Sequence, residues 1–428
     1  MHYFQYKRNS LYAEGVPISK IAKAVGTPAY IYSKKTLKRH YNAFNDAFST
    51  VDNIICYSVK ANSNLSVLST FAEEGSGFDI VSGGELFRAL KAGAKPKRIV
   101  FSGVGKREDE IEYALKSNIL LFNVESPSEL KLINKVAGRL KRKAGIAIRV
   151  NPNVDAKTHP YISTGLKKNK FGIETKEAFE QYIYARKSLK NLDLLGVDCH
   201  IGSQITELGP FEDALKKAKT FIGKLRKEGI DISYLDLGGG LGITYEDEKA
   251  PLPSKYGEAV IEATKGLGVT LIFEPGRAIA GNAGILVTKV LYTKQGSKKR
   301  FVIVDAGMND LGRPSLYGSY HGVTPVKAPL RGARKVKADI VGPICESGDF
   351  LAQDRMLPEL KDGDLISIMS AGAYGFTMSS NYNSRLRAAE VMVDDKKFSV
   401  IRKRESFADL INGEALPKKK KKGTKKKI

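Results

Sequence analysis

Short apolar runs alternate with segments of helical spacing along the central part of the chain. The runs have the length of buried strands, and they end at Val59, Val81, Ser102, Val124, Val150, Cys199, Leu237 and Phe273. Eight strands that alternate with helices over roughly 250 residues match the size and order of a (β/α)8 TIM-like barrel. An open, doubly wound parallel sheet of similar length is the alternative α/β fold.

The segments between the runs predict helices, and several of them end in a glycine, as helix termini often do. Their predicted bounds are 36–48, 65–74, 85–91, 107–116, 127–140, 176–189, 211–227 and 256–265. The fifth has the plainest start signal, because Ser126 can cap it, Pro127 suits its first turn and Glu129 completes a capping-box spacing. Two longer excursions, 151–171 and 202–210, follow strand ends, where the functional loops of a barrel lie.

After Gly281 the pattern changes to strands without long helices between them. Strand-like runs lie at 285–292, 301–304, 335–341, 365–369, 389–393 and 398–402. The stretch 294–297 between the first two has the composition of a hairpin turn. The N-terminal segment 12–32 shows two more strand-like runs around a short helix at 19–25. We therefore expect a second, mainly antiparallel β domain.

A large positive charge is concentrated in part at the C-terminal end. The formal net charge is +24, and eight lysines lie between Lys418 and Lys427, so the remainder of the chain carries +16. Such a block is typical of a disordered tail, and the rest of the chain lacks the basic and aromatic interleaving of a nucleic-acid-binding surface. We therefore expect no specific nucleic-acid partner. The three cysteines are odd in number and far apart, which argues against a disulfide framework and favours a reduced, cytoplasmic protein. The sequence has no apolar run of membrane-spanning length and no signal-peptide pattern, so we expect no membrane partner.

Residues that are candidates for catalysis or ligand binding follow seven of the eight predicted barrel strands. They are Lys60, Asp79 with Ser82, Asn123, Arg149 with Asn151, His200, Gly238 to Gly240, and Glu274. The carboxyl ends of barrel strands meet at one face, so these residues predict an active site there.

Lys60 follows the apolar run 53–57 and precedes the polar turn 61–64, which indicates a strand whose last residue projects a lysine. A lysine at a strand end most often extends its amine to solvent. An amine left unpaired there is costly unless it is neutralised or used covalently. Lys60 is therefore a candidate for a covalent bond to an aldehyde.

Glu274 begins the sequence Glu274-Pro275-Gly276-Arg277 at the end of the eighth strand. A carboxylate about 4 Å from a ring nitrogen stabilises the protonated ring by roughly 4 kcal/mol at an effective dielectric constant near 20. That is about three pKa units, enough to keep a pyridine-type ring protonated at neutral pH. A surface ion pair between Glu274 and Arg277 is the alternative interpretation.

The glycine run Gly238-Gly239-Gly240 allows backbone N–H groups to surround an anion, although a tight turn is its commoner role. His200 can cover a planar ring by stacking, although a lone histidine after a strand is more often structural. A lysine for an aldehyde, glycines for a phosphate and a glutamate for a ring nitrogen together predict pyridoxal 5'-phosphate as the cofactor.

Several motifs resemble those of the alanine-racemase-like pyridoxal phosphate decarboxylases, the fold-type III family. They are Tyr57-Ser58-Val59-Lys60-Ala61-Asn62, Gly77-Phe78-Asp79, Val81-Ser82-Gly83-Gly84-Glu85, His200-Ile201-Gly202-Ser203-Gln204, the glycine run and Glu274-Pro275-Gly276-Arg277. The resemblance covers roughly residues 10–410, and it narrows to the members that decarboxylate meso-2,6-diaminopimelate to L-lysine and CO2, the last step of lysine biosynthesis. The motifs that narrow it are Arg313-Pro314-Ser315-Leu316-Tyr317, Cys345-Glu346-Ser347-Gly348-Asp349 and Ala373-Tyr374-Gly375.

The resemblance implies a role for each motif. Catalytic roles are implied for Lys60, which carries the cofactor, and for His200, Glu274 and Cys345. Cofactor contacts are implied for Lys60, Asp79, His200, Ser203, Gly238, Gly239, Gly240, Glu274, Pro275, Gly276, Arg277 and Tyr374, with the three glycines and Ser203 at the phosphate. Substrate contacts are implied for Arg277, Arg313 and Tyr317 with a carboxylate, for Glu346 with the far amine, and for Tyr374. No metal site is predicted.

The resemblance also implies the domain organisation and the assembly. The barrel lies near 33–280, the β domain combines 1–32 with 281–417, and the lysine-rich tail 418–428 lies outside both. A homodimer is implied, with active sites at the subunit interface that are completed by the partner's Cys345 and the partner's Glu346. A free thiol has a pKa of about 8.5, so Cys345 is suited to donate a proton at neutral pH.

Related decarboxylases of ornithine, arginine or carboxynorspermidine are the enzymatic alternatives. An amine-only tail, such as that of ornithine, favours acidic residues, whereas Arg277, Arg313 and Glu346 suit a tail with both a carboxylate and an amine. A racemase is disfavoured, because racemases of this fold place an arginine at the ring nitrogen. A non-catalytic cofactor-binding relative and salt-dependent nucleic-acid binding through the tail are alternatives of other classes.

Overall fold

The computed structural model describes residues 2–154 and 170–417 of the chain. Its first strands, β1 to β13, are Phe4–Lys7, Ser10–Ala13, Val16–Pro17, Ala29–Ser33, Asn53–Ser58, Gly77–Ile80, Ile99–Phe101, Leu121–Val124, Ala144–Asn151, Ile173–Glu174, Leu192–Asp198, Tyr234–Asp236 and Thr270–Phe273. Strands β14 to β21 are Gly284–Gln295, Arg300–Val304, Val323–Pro325, Lys335–Val341, Phe350–Pro358, Leu365–Ile368, Ala389–Asp394 and Lys397–Arg402.

The helices α1 to α12 are Ile18–Val25, Lys34–Asp46, Leu65–Glu73, Gly83–Lys91, Glu108–Lys116, Pro127–Arg139, Thr175–Ser188, Gly209–Lys227, Pro253–Thr264, Arg277–Ala280, Arg313–Tyr317 and Phe407–Leu410. Short 3₁₀ turns are Val59–Ala61, Pro96–Arg98, Gly281–Ala283, Phe376–Met378 and Tyr382–Ser384. Among the described helices, none is long and apolar enough to cross a membrane.

Eight parallel strands form a closed barrel. Their order is β5-β6-β7-β8-β9-β11-β12-β13, and β13 pairs with β5 to close it. Strands β6, β7 and β8 are buried along their whole length, because the barrel interior covers one face and the helices cover the other. The predicted barrel is confirmed, and the open sheet is excluded.

Helix α2 completes the outer ring, because it packs against both α3 and α9. Aromatic side chains fill the space between these helices and β13. The rings of Phe48 and Phe273 stack with centroids 3.9 Å apart, and Phe44 and Tyr256 pack around them. Each of the four side chains is almost fully buried, and burial of one such ring contributes roughly 1.5–3 kcal/mol to folding.

The start of α6 differs from the predicted capping box. Ser126 Oγ accepts a hydrogen bond from the backbone N–H of Glu129 at 3.2 Å, as expected. The carboxylate of Glu129 instead accepts from the backbone N–H of Glu125 at 3.1 Å and from Lys106 Nζ at 2.7 Å. The side chain of Lys106 is fully buried, and a buried ammonium requires a carboxylate partner.

The second sheet is mainly antiparallel, as predicted. It runs in the order β18-β17-β15-β14-β4-β20-β21, with β19 on β14 and β16 on β19. Strand β4, from the N-terminal segment, lies between β14 and β20. The predicted hairpin is present, because β14 and β15 pair antiparallel around Gly296.

The sequence pattern missed β1, β10, β16 and β18. Strand β18 lies at the sheet edge, and its register with β17 shifts twice, which disrupts the alternation that reveals a strand. Strand β10 is two residues long, follows the predicted 151–171 excursion directly and pairs with the end of β9. Most of that excursion, 155–169, and the tail 418–428 lie outside the described residues.

Candidate active site

Lys60 lies two residues after the end of strand β5, in a short 3₁₀ turn. Strand β5 ends at Ser58, and Lys60 belongs to the 3₁₀ turn Val59–Ala61, which corrects the prediction that it ends the strand. Its Nζ lies 2.5 Å from Asp79 Oδ2, and its side chain is 39% exposed while that of Asp79 is buried. The amine is therefore both paired and accessible to a ligand, unlike a lysine that extends freely into solvent.

Two opposing effects set the proton affinity of this amine. Burial lowers the pKa of Lys60, but the carboxylates of Asp79 and Glu274 outweigh it and raise the pKa above its ordinary value. The ammonium form therefore dominates at neutral pH. Asp79 Oδ2 also lies 2.8 Å from Ser58 Oγ, whereas Asp79 Oδ1 is buried and has no hydrogen-bond partner among the described residues.

Glu274 follows β13 and is almost completely buried. Its Oε1 accepts hydrogen bonds from Ser102 Oγ at 2.9 Å and from Asn123 Nδ2 at 3.1 Å. Burial, together with the charge of Asp79, raises the pKa of Glu274 to about 7, although the charge of Lys60 opposes this rise. The alternative of a surface ion pair with Arg277 is wrong, because Glu274 is inside the barrel mouth and Arg277 has other partners.

Asn123 connects Glu274 to a second buried carboxyl. Its Nδ2 lies 2.9 Å from Asp236 Oδ2 as well as 3.1 Å from Glu274 Oε1. Burial, followed by the charges of Glu274 and Asp198, raises the pKa of Asp236 well above its ordinary value. Burial and the neighbouring carboxyls thus make both Asp236 and Glu274 harder to ionise than free carboxyls.

His200 lies against the glycine run. Its Nδ1 accepts a hydrogen bond from the backbone N–H of Gly239 at 3.2 Å, so its proton is on Nε2. Burial and the charges of Arg149 and Lys60 lower the pKa of His200 well below its ordinary value, which makes the imidazole neutral. A Cβ on Gly238, whose φ is +62°, would lie 2.3 Å from His200 Nδ1. Glycine is therefore required at this position for the imidazole to pack here.

The motif around Pro275 packs against the turn that carries Lys60. The backbone oxygen of Pro275 accepts from the N–H of Ser58 at 3.2 Å. A Cβ on Gly276 would lie 2.9 Å from Ala61 Cβ and 3.3 Å from Tyr374 Oη. The hydroxyl of Tyr374 consequently lies over Gly276, beside the lysine turn.

Tyr374 is held in an unusual backbone conformation. Its φ is +55°, in the left-handed region that non-glycine residues seldom adopt. Its backbone N–H donates to the oxygen of Ala61 at 2.8 Å, and its ring lies 4.8 Å from the guanidinium of Arg277. The second sheet thus presents a tyrosine at the barrel mouth, and strain of this kind is concentrated at functional sites.

Two buried arginines meet at one tyrosine. Arg277 Nη1 donates to Tyr245 Oη at 2.8 Å, and Arg313 Nη1 donates to the same oxygen at 2.7 Å. Arg277 also donates to Ser203 Oγ at 3.1 Å, and an electrostatic interaction with Tyr317 contributes to raising the pKa of Arg277. Among the described residues, no carboxylate forms an ion pair with either arginine.

The close approach of the two arginines favours binding of an anion between them. Their Nη1 atoms can be at most 5.5 Å apart, the combined length of the two hydrogen bonds to Tyr245 Oη. Two unit charges at that separation repel by roughly 3 kcal/mol at an effective dielectric constant near 20. Burial and the neighbouring Arg277 charge also lower the pKa of Arg313, even though Tyr245 opposes this. A bound carboxylate would relieve this repulsion.

Cys345 and Glu346 lie apart from this group. Both residues are exposed in the loop between β17 and β18. The backbone N–H of Cys345 donates to Asn383 Oδ1 at 2.7 Å, and Asp349 Oδ2 accepts from the N–H of Ile344 at 2.6 Å to brace the same loop. The hydrogen bonds of the described residues do not join Cys345 to Lys60.

The structure therefore brings most of the predicted site residues together. The connected group contains Lys60, Asp79, His200, Ser203, Gly238, Gly239, Gly240, Glu274, Pro275, Gly276, Arg277, Arg313, Tyr317 and Tyr374. Sequence reasoning missed Ser102, Asp236, Tyr245 and His321. Ser102 directly follows barrel strand β7 and Asp236 ends β12, a signal that could have revealed them, whereas Tyr245 and His321 lie in loops that carry no recognisable motif.

A comparison with protein families matches residues 34–281 to the pyridoxal-dependent decarboxylase, pyridoxal binding domain. A diaminopimelate decarboxylase of Vibrio cholerae is 54% identical over 412 residues, which cover 96% of this chain and 98% of the relative. The chain belongs to the diaminopimelate decarboxylase family. It is thus a pyridoxal-phosphate-dependent amino-acid decarboxylase, as the motifs predicted.

Solved structures of this family have the same fold. A diaminopimelate decarboxylase of Helicobacter pylori complexed with L-lysine has a TM-score of 0.89 and 48% identity, with 92% of this chain and 98% of that chain covered. The family member from M. jannaschii in co-complex with L-lysine has a TM-score of 0.91 and 39% identity, with 97% and 98% covered. The comparisons confirm the family and the cofactor, while the role of each site residue is still a prediction.

Proposed function

We propose that this chain decarboxylates meso-2,6-diaminopimelate to L-lysine and CO2, the last step of lysine biosynthesis. The observation that carries this proposal is the buried pair Arg277 and Arg313, which lacks a carboxylate partner among the described residues and lies beside the group that contains Lys60 and Glu274. Two relatives with solved structures are complexed with L-lysine, which is the product of this reaction.

The residues around Lys60 fit pyridoxal 5'-phosphate. A Cβ on Gly239 would lie 2.5 Å from the backbone oxygen of Glu274, and one on Gly240, at φ +109°, would lie 2.9 Å from that of Gly202. Only glycine fits at these two positions, and backbone without Cβ atoms is of the kind that surrounds a phosphate. Lys60 would hold the aldehyde covalently, Gly238 to Gly240 and Ser203 the phosphate, and Glu274 the ring nitrogen. When bound, the cofactor accepts the electron pair left by the departing CO2.

Proton positions follow from the buried carboxyls. Lys60 must give up its proton to bond an aldehyde, and Asp79 Oδ2, 2.5 Å away, is placed to accept it. Asn123 Nδ2 donates to both Glu274 Oε1 and Asp236 Oδ2, and it therefore holds the two carboxyls side by side. A positive ring nitrogen near Glu274 would lower the pKa of that carboxyl and keep the pair charged. Neutral His200 is suited to stacking on the ring rather than to proton transfer.

Arg277 and Arg313 give the specificity for a carboxylate. Their guanidinium groups offer planar donors, which suit bidentate binding of a carboxylate. Tyr317 and Tyr374 extend the same surface, and Glu346 is proposed to bind the far amine of the substrate. An ornithine, arginine or carboxynorspermidine decarboxylase, or a non-catalytic relative, is the weaker candidate.

Cys345 is proposed to protonate the carbon that loses CO2. It is exposed in the single chain, in a loop held by Asn383 and Asp349, which supports a site completed across a subunit interface. We therefore infer a homodimer in which Cys345 of the partner subunit and Glu346 of the partner subunit complete each site. The domains near 33–280 and at 1–32 with 281–417, and a cytoplasmic location, belong to the same proposal.

Turnover of several substrates tests the proposal. The purified protein, loaded with pyridoxal 5'-phosphate, is given meso-diaminopimelate, ornithine, arginine or carboxynorspermidine, and CO2 is measured. We expect CO2 from diaminopimelate, with kcat/KM at least about 100-fold above that of the other three substrates. These lack the carboxylate that Arg277 and Arg313 are proposed to bind, and each lost hydrogen bond to a charged group costs about 1.5–3 kcal/mol. A preference for ornithine would reassign the substrate, and no CO2 from any of them would favour a non-catalytic relative.

A further inference from the structure

Tyr245 occupies a position that the motifs do not explain. Its hydroxyl oxygen accepts one hydrogen bond from each buried arginine, from Arg277 at 2.8 Å and from Arg313 at 2.7 Å. Arg277 begins α10, which follows the last barrel strand, whereas Arg313 begins α11, which follows strand β15 of the second sheet. Tyr245 therefore fixes the distance between two charges that come from different parts of the fold.

We infer that Tyr245 is a positioning residue that holds Arg277 and Arg313 at the spacing required by the substrate carboxylate. This inference rests on the proposed function, because it names a determinant of carboxylate binding at the same site. A phenol oxygen has two lone pairs and one hydrogen. When both lone pairs accept from arginines, the remaining O–H is available to donate to an anion that the arginines attract.

The choice of a neutral acceptor is important for this role. An aspartate or glutamate at the same place would pair with the arginines and compete with the substrate carboxylate. The hydroxyl instead orients the guanidinium groups and leaves both positive charges uncompensated. The guanidinium of Arg313 also lies 4.8 Å from the ring of Tyr245, so the ring face supports the cation as well.

The loop that carries Tyr245 is braced at both ends. Gln204 Nε2 donates to the backbone oxygen of Ile243 at 2.6 Å, and the N–H of Ile243 donates back to Gln204 Oε1 at 3.1 Å. Glu248 Oε2 accepts from the backbone N–H groups of Tyr245 at 2.9 Å and Glu246 at 2.7 Å. The backbone of Tyr245 is thus fixed independently of the arginines, as a positioning residue requires.

His321 is a second acceptor for Arg313 Nη1. Its Nδ1 lies 2.8 Å from the backbone oxygen of Met369, so Nδ1 carries the proton and Nε2 accepts from Arg313 Nη1 at 3.2 Å. Burial and the charge of Arg313 lower the pKa of His321 to about 3, so the ring is neutral in any ordinary assay. Its ring meets the ring of Tyr245 edge to face, with centroids 5.3 Å apart. Both acceptors of the Arg313 Nη1 group are therefore neutral.

Tyr245→Phe tests the inference, because it removes one oxygen and retains the ring. The holoenzyme variant is assayed for kcat and KM with meso-diaminopimelate, and for inhibition by L-lysine, which has a carboxylate, and by 1,5-diaminopentane, which lacks one. We expect KM and the inhibition constant of L-lysine to rise about 10- to 100-fold, which corresponds to the loss of hydrogen bonds to charged groups. We expect kcat and inhibition by 1,5-diaminopentane to change less than about 3-fold.

Tyr292→Phe is the matched control, because Tyr292 is 64% exposed on β14. It should match the wild type in every measurement. The inference is overturned if Tyr245→Phe leaves the inhibition constant of L-lysine unchanged, or if both inhibitors weaken alike, which would indicate a general distortion of the site. Wild-type protein that binds L-lysine but releases no CO2 from diaminopimelate would contradict the proposed function instead, and calorimetry of L-lysine binding to Tyr245→Phe would still decide the role of Tyr245.

Discussion

Replacement of Glu274 by glutamine should stabilise the cofactor-free protein while it impairs catalysis. Glutamine has nearly the same shape, and its oxygen can still accept from Ser102 and Asn123, which now bond to Glu274 Oε1. The substitution removes only the capacity to ionise. Because Glu274 is almost fully buried, its charge is costly in the absence of a cationic ring.

The pKa of Glu274 gives the size of the effect. A carboxyl whose pKa rises from the ordinary 4.5 to about 7 on folding costs about 3 kcal/mol of folding free energy once it is fully ionised, at ~1.4 kcal/mol per pH unit. The cost is absent below pH 4.5, where the carboxyl is neutral in both states. It develops as the pH rises towards 7 and is complete above it. Glu274→Gln should thus be more stable than the wild type by up to about 3 kcal/mol at pH 8, with the difference vanishing near pH 4.5.

Urea unfolding of both cofactor-free proteins at pH 8 and at pH 5 measures this difference. Glu258→Gln is the control, because Glu258 forms an exposed ion pair with Lys255 and should change stability by less than about 1 kcal/mol. After cofactor loading, Glu274→Gln should release CO2 up to about 1,000-fold more slowly, the equivalent of roughly 4 kcal/mol. A variant that is less stable than the wild type at pH 8, or that keeps full activity, would refute the assignment of a buried, functional charge to Glu274.

Three other substitutions have distinct expected outcomes. Cys345→Ala should slow turnover far more than it weakens cofactor loading, and unchanged turnover would exclude Cys345 as the proton donor. Arg313→Ala should raise KM for diaminopimelate at least about 10-fold with an unchanged circular dichroism spectrum, and an unaltered KM would reassign the carboxylate contact. Gly238→Ala should lower cofactor affinity, because its Cβ would lie 2.3 Å from the His200 ring. Gly266→Ala, at a similar φ of +75° with open space around it, should not lower it. Equal cofactor affinities of the two variants would contradict the proposed role of the glycine run in binding the phosphate.

The alternation of strands and helices made the barrel predictable, because each buried parallel strand is a continuous apolar run. All eight predicted barrel strands are present, and their carboxyl ends differ from the prediction by one residue at most. Lys60 shows the limit of this reasoning. A pattern of burial cannot distinguish the last residue of a strand from a 3₁₀ turn that keeps Val59 and Ala61 buried on either side.

The motifs that named the family also located most of the connected site. Tyr245 was not predictable, because its partners Arg277 and Arg313 are 32 and 68 residues away in sequence and meet it only in the folded chain. The same holds for the raised pKa of Asp236, which depends on burial beside Glu274. Sequence periodicity reports burial, whereas charge states depend on contacts between distant segments.

Chemical mapping of the cofactor attachment tests the central claim most directly. The purified holoenzyme is treated with sodium borohydride, which makes the bond between the cofactor and its lysine permanent, and the digested protein is analysed by mass spectrometry. We expect the added mass on Lys60 and on no other of the chain's lysines. A label on a different lysine, with Lys60 unmodified, would contradict the assignment of this site.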